Sequence, residues 1–546
     1  MHRDEFSLHR AQDALYLTKL VLFRLLSLSC IVFFVFKRRL GASWKARWDQ
    51  SFSLAICLVT VSLTLRLWQC PLAVDDSYID YRYVLHWLSG QFDYNPGTHI
   101  MGFTSHLHLI ILWAVCFLFH TSAVDLASYY FNCLADTACT VFLFFIVYKV
   151  YGRALPAFLA GLVYATSMYA CAEVTTGKES PLVNLFILLA LWAVQTGRTK
   201  LLPWFANALF LLRPEGIIAA SFMLFGAFKQ NGKAALKTFV VPCSITAAWY
   251  VFLFVYFGSI LPHGMIAKDK VFFARDYIST LINYLTTTGL MVTNTNAGYL
   301  ISALGPWPCV ISTAIAFIYA FFRLKQPCWV LYRNIALAQL LFLLLAKPVL
   351  FSWYFCWLAL LAPIVVAQFT ADAWPQSAEE KVPPLKDTRI VVWVFMLAYL
   401  FTGLAAIPFN WTPYFERGVE YREAALYLLD RTQGKEAIAA SDVGIIGYFY
   451  PGQIIDMMGL ITDQALKYYP VKTDKRYAYL IPPEAVAALK PAYLVAPLSH
   501  CQGMLLNDPD FQRNYTELKR WTNPDMMDKV VCIWMRKQEA VPANEK

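Results

Sequence analysis

Charge is what this chain has least of. Lys, Arg, Asp and Glu together make up 15 % of its 546 residues, and 58 % are hydrophobic, giving a mean hydropathy of +0.48. A soluble domain carries about 25 % charged residues, so a surface wetted on every side is excluded. There is no internal repeat and no low-complexity tract. Thirteen cysteines form no framework, because most, such as Cys57, Cys139 and Cys243, lie inside apolar runs where Cys acts as a small hydrophobe. Cys501 and Cys532 fall in a more polar tail and are the one pair suited to a disulfide in an oxidising compartment. The net charge of +10 does not require nucleic acid, since the cations sit in loops between apolar runs. A cleavable signal peptide is not expected: Ala14 to Phe36 carries Lys19 and Arg24 and lacks a small-residue cleavage site. That stretch fits an interfacial helix or a true span equally well.

What is present is a succession of apolar runs broken by basic clusters, the pattern of a polytopic α-helical membrane protein. Lys37, Arg38, Arg39, Lys45 and Arg47 are expected to be cytoplasmic by the positive-inside rule. Phe52 to Gln69 then crosses outward, and Leu107 to Phe119 reads as an interfacial helix. Leu126 to Val150 crosses inward, Leu155 to Ala172 outward, and Leu182 to Gln195 inward. Leu201–Leu212 and Ile217–Phe228 read as a tight hairpin, followed by Val240 to Phe257. Runs near Ala303–Phe322, Ile335–Ala346, Tyr354–Phe369 and Ile390–Ile407 bring the count to about 11 crossings. The expected division is an N-terminal helix and basic loop over 1–50, a membrane domain over 51–408 with a first external loop at 70–123, and an extracytoplasmic α/β domain over 409–546. In that last part "EYREAALYLLDRT" has helical spacing, and "AIAAS", "IIDMM" and "AYLVAP" read as short strands.

On this topology four polar islands face one compartment. They are Asp75, Asp76, Asp80 and Arg82; "EVTTGKES", Glu173 to Ser180; Arg213 with Glu215; and His263, Lys268 and Lys270. Charges at membrane depth are costly and read as functional by default. A carboxylate at the water boundary can take a proton from a hydroxyl, and cations beside it can hold a leaving phosphate. Each island taken alone also suits a helix cap or a lipid headgroup contact. His99, His106 and His108 cluster without metal-ligand spacing, and no metal site is expected from them.

The segments "DDSYIDYRY…SGQFDYNPGTHIMGFTSHLHLIIL", "TGKESPL", "LLRPEG", "ILPHGMIAKDK", "SWYFCWLALLAP" and "SDVGIIGYFYPGQIIDMMGL" occur in that order except that the last two are separated by the final membrane run. Together they resemble the signature of bacterial integral-membrane glycosyltransferases of the GT-C superfamily, among them the mycobacterial terminal and the pilin arabinosyltransferases. The resemblance implies a polyprenyl-phosphate sugar donor, an arabinofuranose in the nearest cases, and a glycan, lipid-glycan or protein acceptor. It also implies inversion at the anomeric carbon outside a bacterial cytoplasmic membrane, among membrane lipids. It assigns Asp75 as the general base with Asp76 as its partner. Arg82, Glu179, Arg213, Glu215, His263 and Lys268 become candidates for the donor phosphate or substrate, Arg213 first and Lys268 second. No cofactor is required on this reading, although Asp75 and Asp76 offer the hard oxygens that suit Mg²⁺ or Ca²⁺.

Three departures stand out. His263 occupies an Asn position, Lys178 precedes Glu179, and "SWYF" replaces an Arg-Tyr pair. In the tail motif, Gly444 and Gly447 permit close backbone approach or a helix start that Asp442 can cap. They do not make up the G-x-G-x-x-G dinucleotide fingerprint. An oligosaccharide ligase using a lipid-diphosphate donor, and a transporter of lipid-linked sugars, remain open beside the transferase reading.

Overall fold

A computed structural model describes residues 50–69, 73–271, 277–294, 304–346, 351–374, 386–406, 412–471, 479–523 and 526–537. The stretch Ala14–Phe36 and the basic cluster after it lie outside the described residues. The helices are α1 (Gln50–Leu67), α2 (Asp75–Leu88), α3 (His106–Leu118), α4 (Val124–Tyr151), α5 (Ala154–Ala165), α6 (Met168–Thr175) and α7 (Ser180–Gln195). They continue with α8 (Leu202–Leu212), α9 (Gly216–Asn231), α10 (Ala234–Phe257), α11 (His263–Val271), α12 (Tyr277–Thr293), α13 (Trp307–Arg323) and α14 (Pro327–Ala346). A 3₁₀ segment, Ser352–Leu358, leads into α15 (Leu361–Ala373), and α16 is Lys386–Ala406.

Among the described residues four helical stretches are long and apolar enough to cross a membrane: Val124–Tyr151, Ala234–Phe257, Pro327–Ala346 and Ser352–Ala373. The pair α5–α6 qualifies as a fifth if counted as one bent span. Seven shorter apolar helices accompany them. The chain is an integral membrane protein. Helix α12 is an addition to the expected runs; its five threonines and one Asn dilute the hydropathy, and several of the threonine hydroxyls are absorbed by carbonyls one turn back.

The run Leu155–Ala172, expected as one crossing, is broken by 47° between α5 and α6. Backbone groups freed by a break inside a bilayer must find partners, and here they do. Arg66 donates to the Ala165 carbonyl at 2.8 Å. Asn294 accepts from the Met168 N–H at 2.7 Å and donates to the Thr166 carbonyl at 3.0 Å. Arg66 is itself paired with Asp136, whose other oxygen accepts from the Tyr164 hydroxyl at 2.6 Å. The hairpin α8–α9 forms as expected. Gly216 is required at its turn, because a Cβ there would overlap the Leu209 carbonyl.

Beyond the membrane helices come α17 (Thr412–Thr432), β1 (Ile438–Ala440), α18 (Gly444–Phe449), β2 (Ile454–Asp456), α19 (Pro483–Leu489), β3 (Tyr493–Pro497), α20 (Leu498–Cys501) and α21 (Pro509–Asn514). The hairpin β4 (Tyr515–Asn523) and β5 (Met526–Arg536) ends the described chain. The sheet order is β2-β1-β3-β5-β4, with β1 parallel to β2 and β3, and β5 antiparallel to β3 and β4. The three expected strands are therefore its parallel half. Cys501 and Cys532 are both buried but unbonded thiols. One hydrophobic core joins this sheet to the first loop: Tyr78, Tyr83, Tyr94 and Phe103 pack with Leu253 of α10 and with Tyr421, Leu428, Ile446 and Ile454.

Breaking a buried ion pair by removing one partner costs about 3–5 kcal/mol. Asp136→Ala is therefore expected to lower the melting temperature of the detergent-solubilised protein sharply. The double substitution Arg66→Met/Asp136→Leu is expected to recover only part of the loss, because the Ala165 carbonyl then lacks its Arg66 donor; thermal unfolding of the two variants side by side measures the difference.

Candidate functional site

The polar islands converge. A cavity of about 700 Å³ is lined by Asp76 and Asp80 from α2, Lys178 and Glu179 before α7, Arg213 and Glu215 from the α8–α9 turn, and Lys268 from α11. Phe351, just before the 3₁₀ segment, and Trp353 and Tyr354 within it form another part of the wall. Ile217, Ile218, Phe342, Leu343 and Ala346 supply an apolar side, and Leu460 reaches in from the loop after β2.

Asp75, Arg82 and His263 do not line it. The Asp75 carboxylate accepts from the backbone N–H of Gly444 at 2.9 Å and of Ile445 at 2.8 Å, the first turn of α18. This replaces the expected cap: Asp442 instead accepts from the Tyr421 hydroxyl. Arg82, 1 % exposed, donates to the carbonyls of Tyr94 (2.7 Å), Tyr450 (3.0 Å) and Gly452 (2.8 Å), and to that of Gly447. It also stacks over the Tyr94 ring at 4.5 Å. Arg82 thus carries no free donor face toward a phosphate. His263 is fixed at the start of α11, its backbone N–H donating to the Met101 carbonyl at 2.7 Å.

The physical reason the two adjacent acids part company is helical geometry. Consecutive residues on an α-helix diverge by 100°, so Asp75 faces α18 while Asp76 faces the cavity. Asp80 follows Asp76 by four residues and shares its face. Burial, and next the Asp442 charge, push the Asp75 carboxyl up to about 8, against the two N–H groups that favour its ionised form.

The cations are not equivalent. Arg213 is held bidentately, Nη1 to Glu179 Oε1 at 2.5 Å and Nε to Glu215 Oε1 at 2.5 Å. Burial alone would lower its pKa, but Glu215 and Glu179 outweigh that and hold it well above the usual value. Burial would likewise raise Glu179, yet Arg213 and Lys178 bring it below the ordinary carboxylate range. Lys268 stands 3.8 Å from Asp76 Oδ2, and Lys178 donates to the Asp76 carbonyl at 3.0 Å. Burial opposes the Lys268 charge, while Tyr354 and Asp76 more than restore it. Each cation lies over an aromatic ring: Lys268 over Phe351 at 5.5 Å, Lys178 over Trp353 at 5.7 Å, Arg213 over Tyr354 at 5.0 Å.

Sequence reasoning placed Asp80 and Lys178 in the polar islands but assigned them no role at the site, and it left out the three aromatic residues. The four-residue spacing of Asp76 and Asp80, and the adjacency of Lys178 to Glu179, were the available signals. The aromatic wall had none, since its role depends on three cations from three other segments. Among the described residues no group of three or more His, Cys, Asp or Glu is placed to hold a metal ion.

Comparisons with known proteins bear on the fold. A model for a domain of unknown function, DUF8728, matches residues 411–538. No curated protein matches the chain. Solved structures do: ArnT from Cupriavidus metallidurans in the apo state (TM-score 0.53, 10 % identity, covering 90 % of this chain and 98 % of that one), and the same protein bound to undecaprenyl phosphate (0.51, 11 %, 90 % and 98 %). Two others resemble it less. They are the archaeal oligosaccharyltransferase AglB from Archaeoglobus fulgidus (0.47, 9 %, 92 % and 76 %) and the arabinofuranosyltransferase AftD from Mycobacteria (0.44, 12 %, 92 % and 40 %). This chain therefore spans well under half the length of AftD. Its fold is GT-C-like, as its motifs led us to expect.

The contact at Gly444 gives a test of how the sheet is held to α2. A Cβ there would overlap the Asp75 carbonyl, whereas one at Gly418 would make only an ordinary 3.6 Å contact with Ile445. Gly444→Ala is expected to lower the melting temperature and expose the C-terminal region to limited proteolysis. Gly418→Ala is expected to be tolerated.

Proposed function

We propose that the protein is a membrane glycosyltransferase that moves a sugar, a pentose such as arabinofuranose first among candidates, from a polyprenyl-phosphate donor to an extracytoplasmic glycan, lipid-glycan or protein. The observation that carries this reading is the cavity itself: carboxylates on one wall, lysines beside them, and an apolar side within the same 700 Å³. That combination suits a phosphate whose tail lies among membrane helices. ArnT, whose fold is similar, has been solved with undecaprenyl phosphate bound.

In this reading the cavity opens on the outer face of a bacterial cytoplasmic membrane. The chain crosses about eleven times, with the membrane domain at 51–408 and the α/β domain at 409–546. The acceptor hydroxyl attacks the anomeric carbon from the side opposite the phosphate. Its oxygen forms the new C–O bond, the bond to the phosphate oxygen breaks with inversion, and the hydroxyl proton passes to a carboxylate. Asp76 suits that role better than Asp75, because both Asp75 oxygens are occupied by α18.

Lysines 178 and 268 suit the phosphate better than Arg213, whose guanidinium is already spent on two glutamates. An ammonium has three donors, and the 3.8 Å contact of Lys268 with Asp76 is loose enough to exchange. A phosphate that draws Lys268 to itself also frees the Asp76 oxygen for the acceptor hydroxyl.

The test is transfer from a set of synthetic polyprenyl-phosphate sugars in detergent or nanodiscs. Asp76→Asn is expected to lose about 10²–10⁴-fold in rate with an unchanged melting temperature, while Asp75→Asn loses activity and stability together. If Asp75→Asn alone abolished transfer in a fully stable protein, Asp75 would be the base. Wild-type protein that moved lipid-linked sugar across a bilayer without transferring it would favour a transporter instead. A requirement for a lipid diphosphate would favour a ligase. Turnover is expected to survive chelation, and loss in EDTA with recovery on adding Mg²⁺ or Ca²⁺ would assign the acids to a metal.

A further inference from the structure

Asp80 lies on the cavity wall and is 3 % exposed. Among the described residues no hydrogen bond or ion pair reaches its carboxylate. Its neighbours have other attachments: Lys178 donates to the Asp76 carbonyl, Lys268 faces Asp76, and Glu179 holds Arg213. Buried polar groups are hydrogen-bonded as a rule, and one that is not calls for a ligand or a cost. The backbone does not explain the residue either. It sits mid-helix, where a carboxylate neither caps nor complements the helix dipole.

We propose that Asp80 is a specificity-determining residue that accepts hydrogen bonds from hydroxyl groups of the sugar being transferred; this rests on the glycosyl-transfer reading above. A hydroxyl fits the place better than an amine. Lys178 and Lys268 already bring positive charge to this part of the cavity, and an added ammonium would meet both. A hydroxyl donates without adding charge, and a carboxylate has acceptor sites for two neighbouring hydroxyls at once.

The electrostatic setting agrees. Burial pushes the Asp80 carboxyl up to about 7; Lys178 opposes this, Glu179 and Asp76 add to it, and Lys268 opposes it weakly. A carboxyl raised above its unfolded value costs stability when it ionises. That cost grows as the pH rises from about 4 to about 7 and is complete above that.

Two measurements test the proposal. In the first, the thermal stability of wild type and Asp80→Asn is compared from pH 4 to pH 8. The variant is expected to match wild type at the acid end and to melt higher at pH 8. A variant that melted lower at pH 8 would mean the protein itself satisfies Asp80, and the proposal would fall. In the second, the polyprenyl-phosphate sugar that wild type uses is compared with its single-deoxy analogues.

One analogue is expected to lose at least about 10²-fold in kcat/KM with wild type. Asp80→Ala is expected to treat that analogue and the parent alike, and Asp80→Asn, which keeps an acceptor oxygen, to restore most of the discrimination. Full discrimination by Asp80→Ala would overturn the role of Asp80 while leaving glycosyl transfer intact. Binding without transfer would overturn the transferase reading, and competition by the same deoxy analogues would still decide the hydroxyl contact. If wild type neither bound nor transferred any member of the set, both readings would fall.

Discussion

The arrangement of the cavity depends on how α2 grips α18. Asp75 and Arg82 are seven residues apart, about 10.5 Å along a helix at 1.5 Å per residue. Asp75 takes the free N–H groups at the start of α18, and Arg82 takes carbonyls at its end and just beyond. The two helices therefore run parallel, and the short one has backbone groups at both ends satisfied by side chains of the long one. A six-residue helix would be marginal alone. Here its termini are satisfied by side chains from more than 360 residues away in sequence. The close approach this needs is why glycine stands at 444 and at 447, where a Cβ would meet Asp75 and Tyr94.

That grip also orients the site. With Asp75 committed to α18, the helical twist turns Asp76 and Asp80 toward Lys178 and Lys268. The sheet then follows α18, and the loop after β2 brings Leu460 to the cavity edge. Asp456 shapes that loop by accepting from the Met458 N–H at 2.7 Å and the Ile461 N–H at 2.8 Å. Burial raises its carboxyl to about 7, against these bonds, so the loop is held at an electrostatic cost.

Much of this was legible in the sequence and part was not. The apolar runs gave most of the membrane helices because hydropathy is a local property, and the polar islands gave most of the cavity because charge is rare in this chain. The break after Ala165 was hidden, since Asn294 and Arg66 enforce it from distant helices. Helix α12 was hidden by its threonines. The choice between Asp75 and Asp76 could not be made from "DDSYIDYRY", because a residue's facing depends on what packs against the helix. The position of Arg82 away from the cavity was hidden for a related reason: its partners are carbonyls, which no side-chain pattern reveals. Hairpin β4–β5 was missed because β4, the edge strand, mixes polar and apolar residues without a clean alternation, which left the apolar run Val530–Trp534 of β5 without a visible partner.

The charge balance of the cavity explains why its cations rest on aromatic rings. Four carboxylates, of Asp76, Asp80, Glu179 and Glu215, face three cations, of Lys178, Arg213 and Lys268. If every cation were locked to an acid, as Arg213 is, nothing would remain for an incoming anion. If Lys268 were bare, burial would favour its neutral form. An aromatic face offers a middle course: it attracts a cation by its quadrupole without occupying its hydrogen-bond donors. Phe351 and Trp353, stacked with centroids 4.6 Å apart, hold Lys268 and Lys178 beside the cavity in that way. The segment from Phe351 to Tyr354 carries no cation of its own and instead supports, through its rings, cations supplied by other segments.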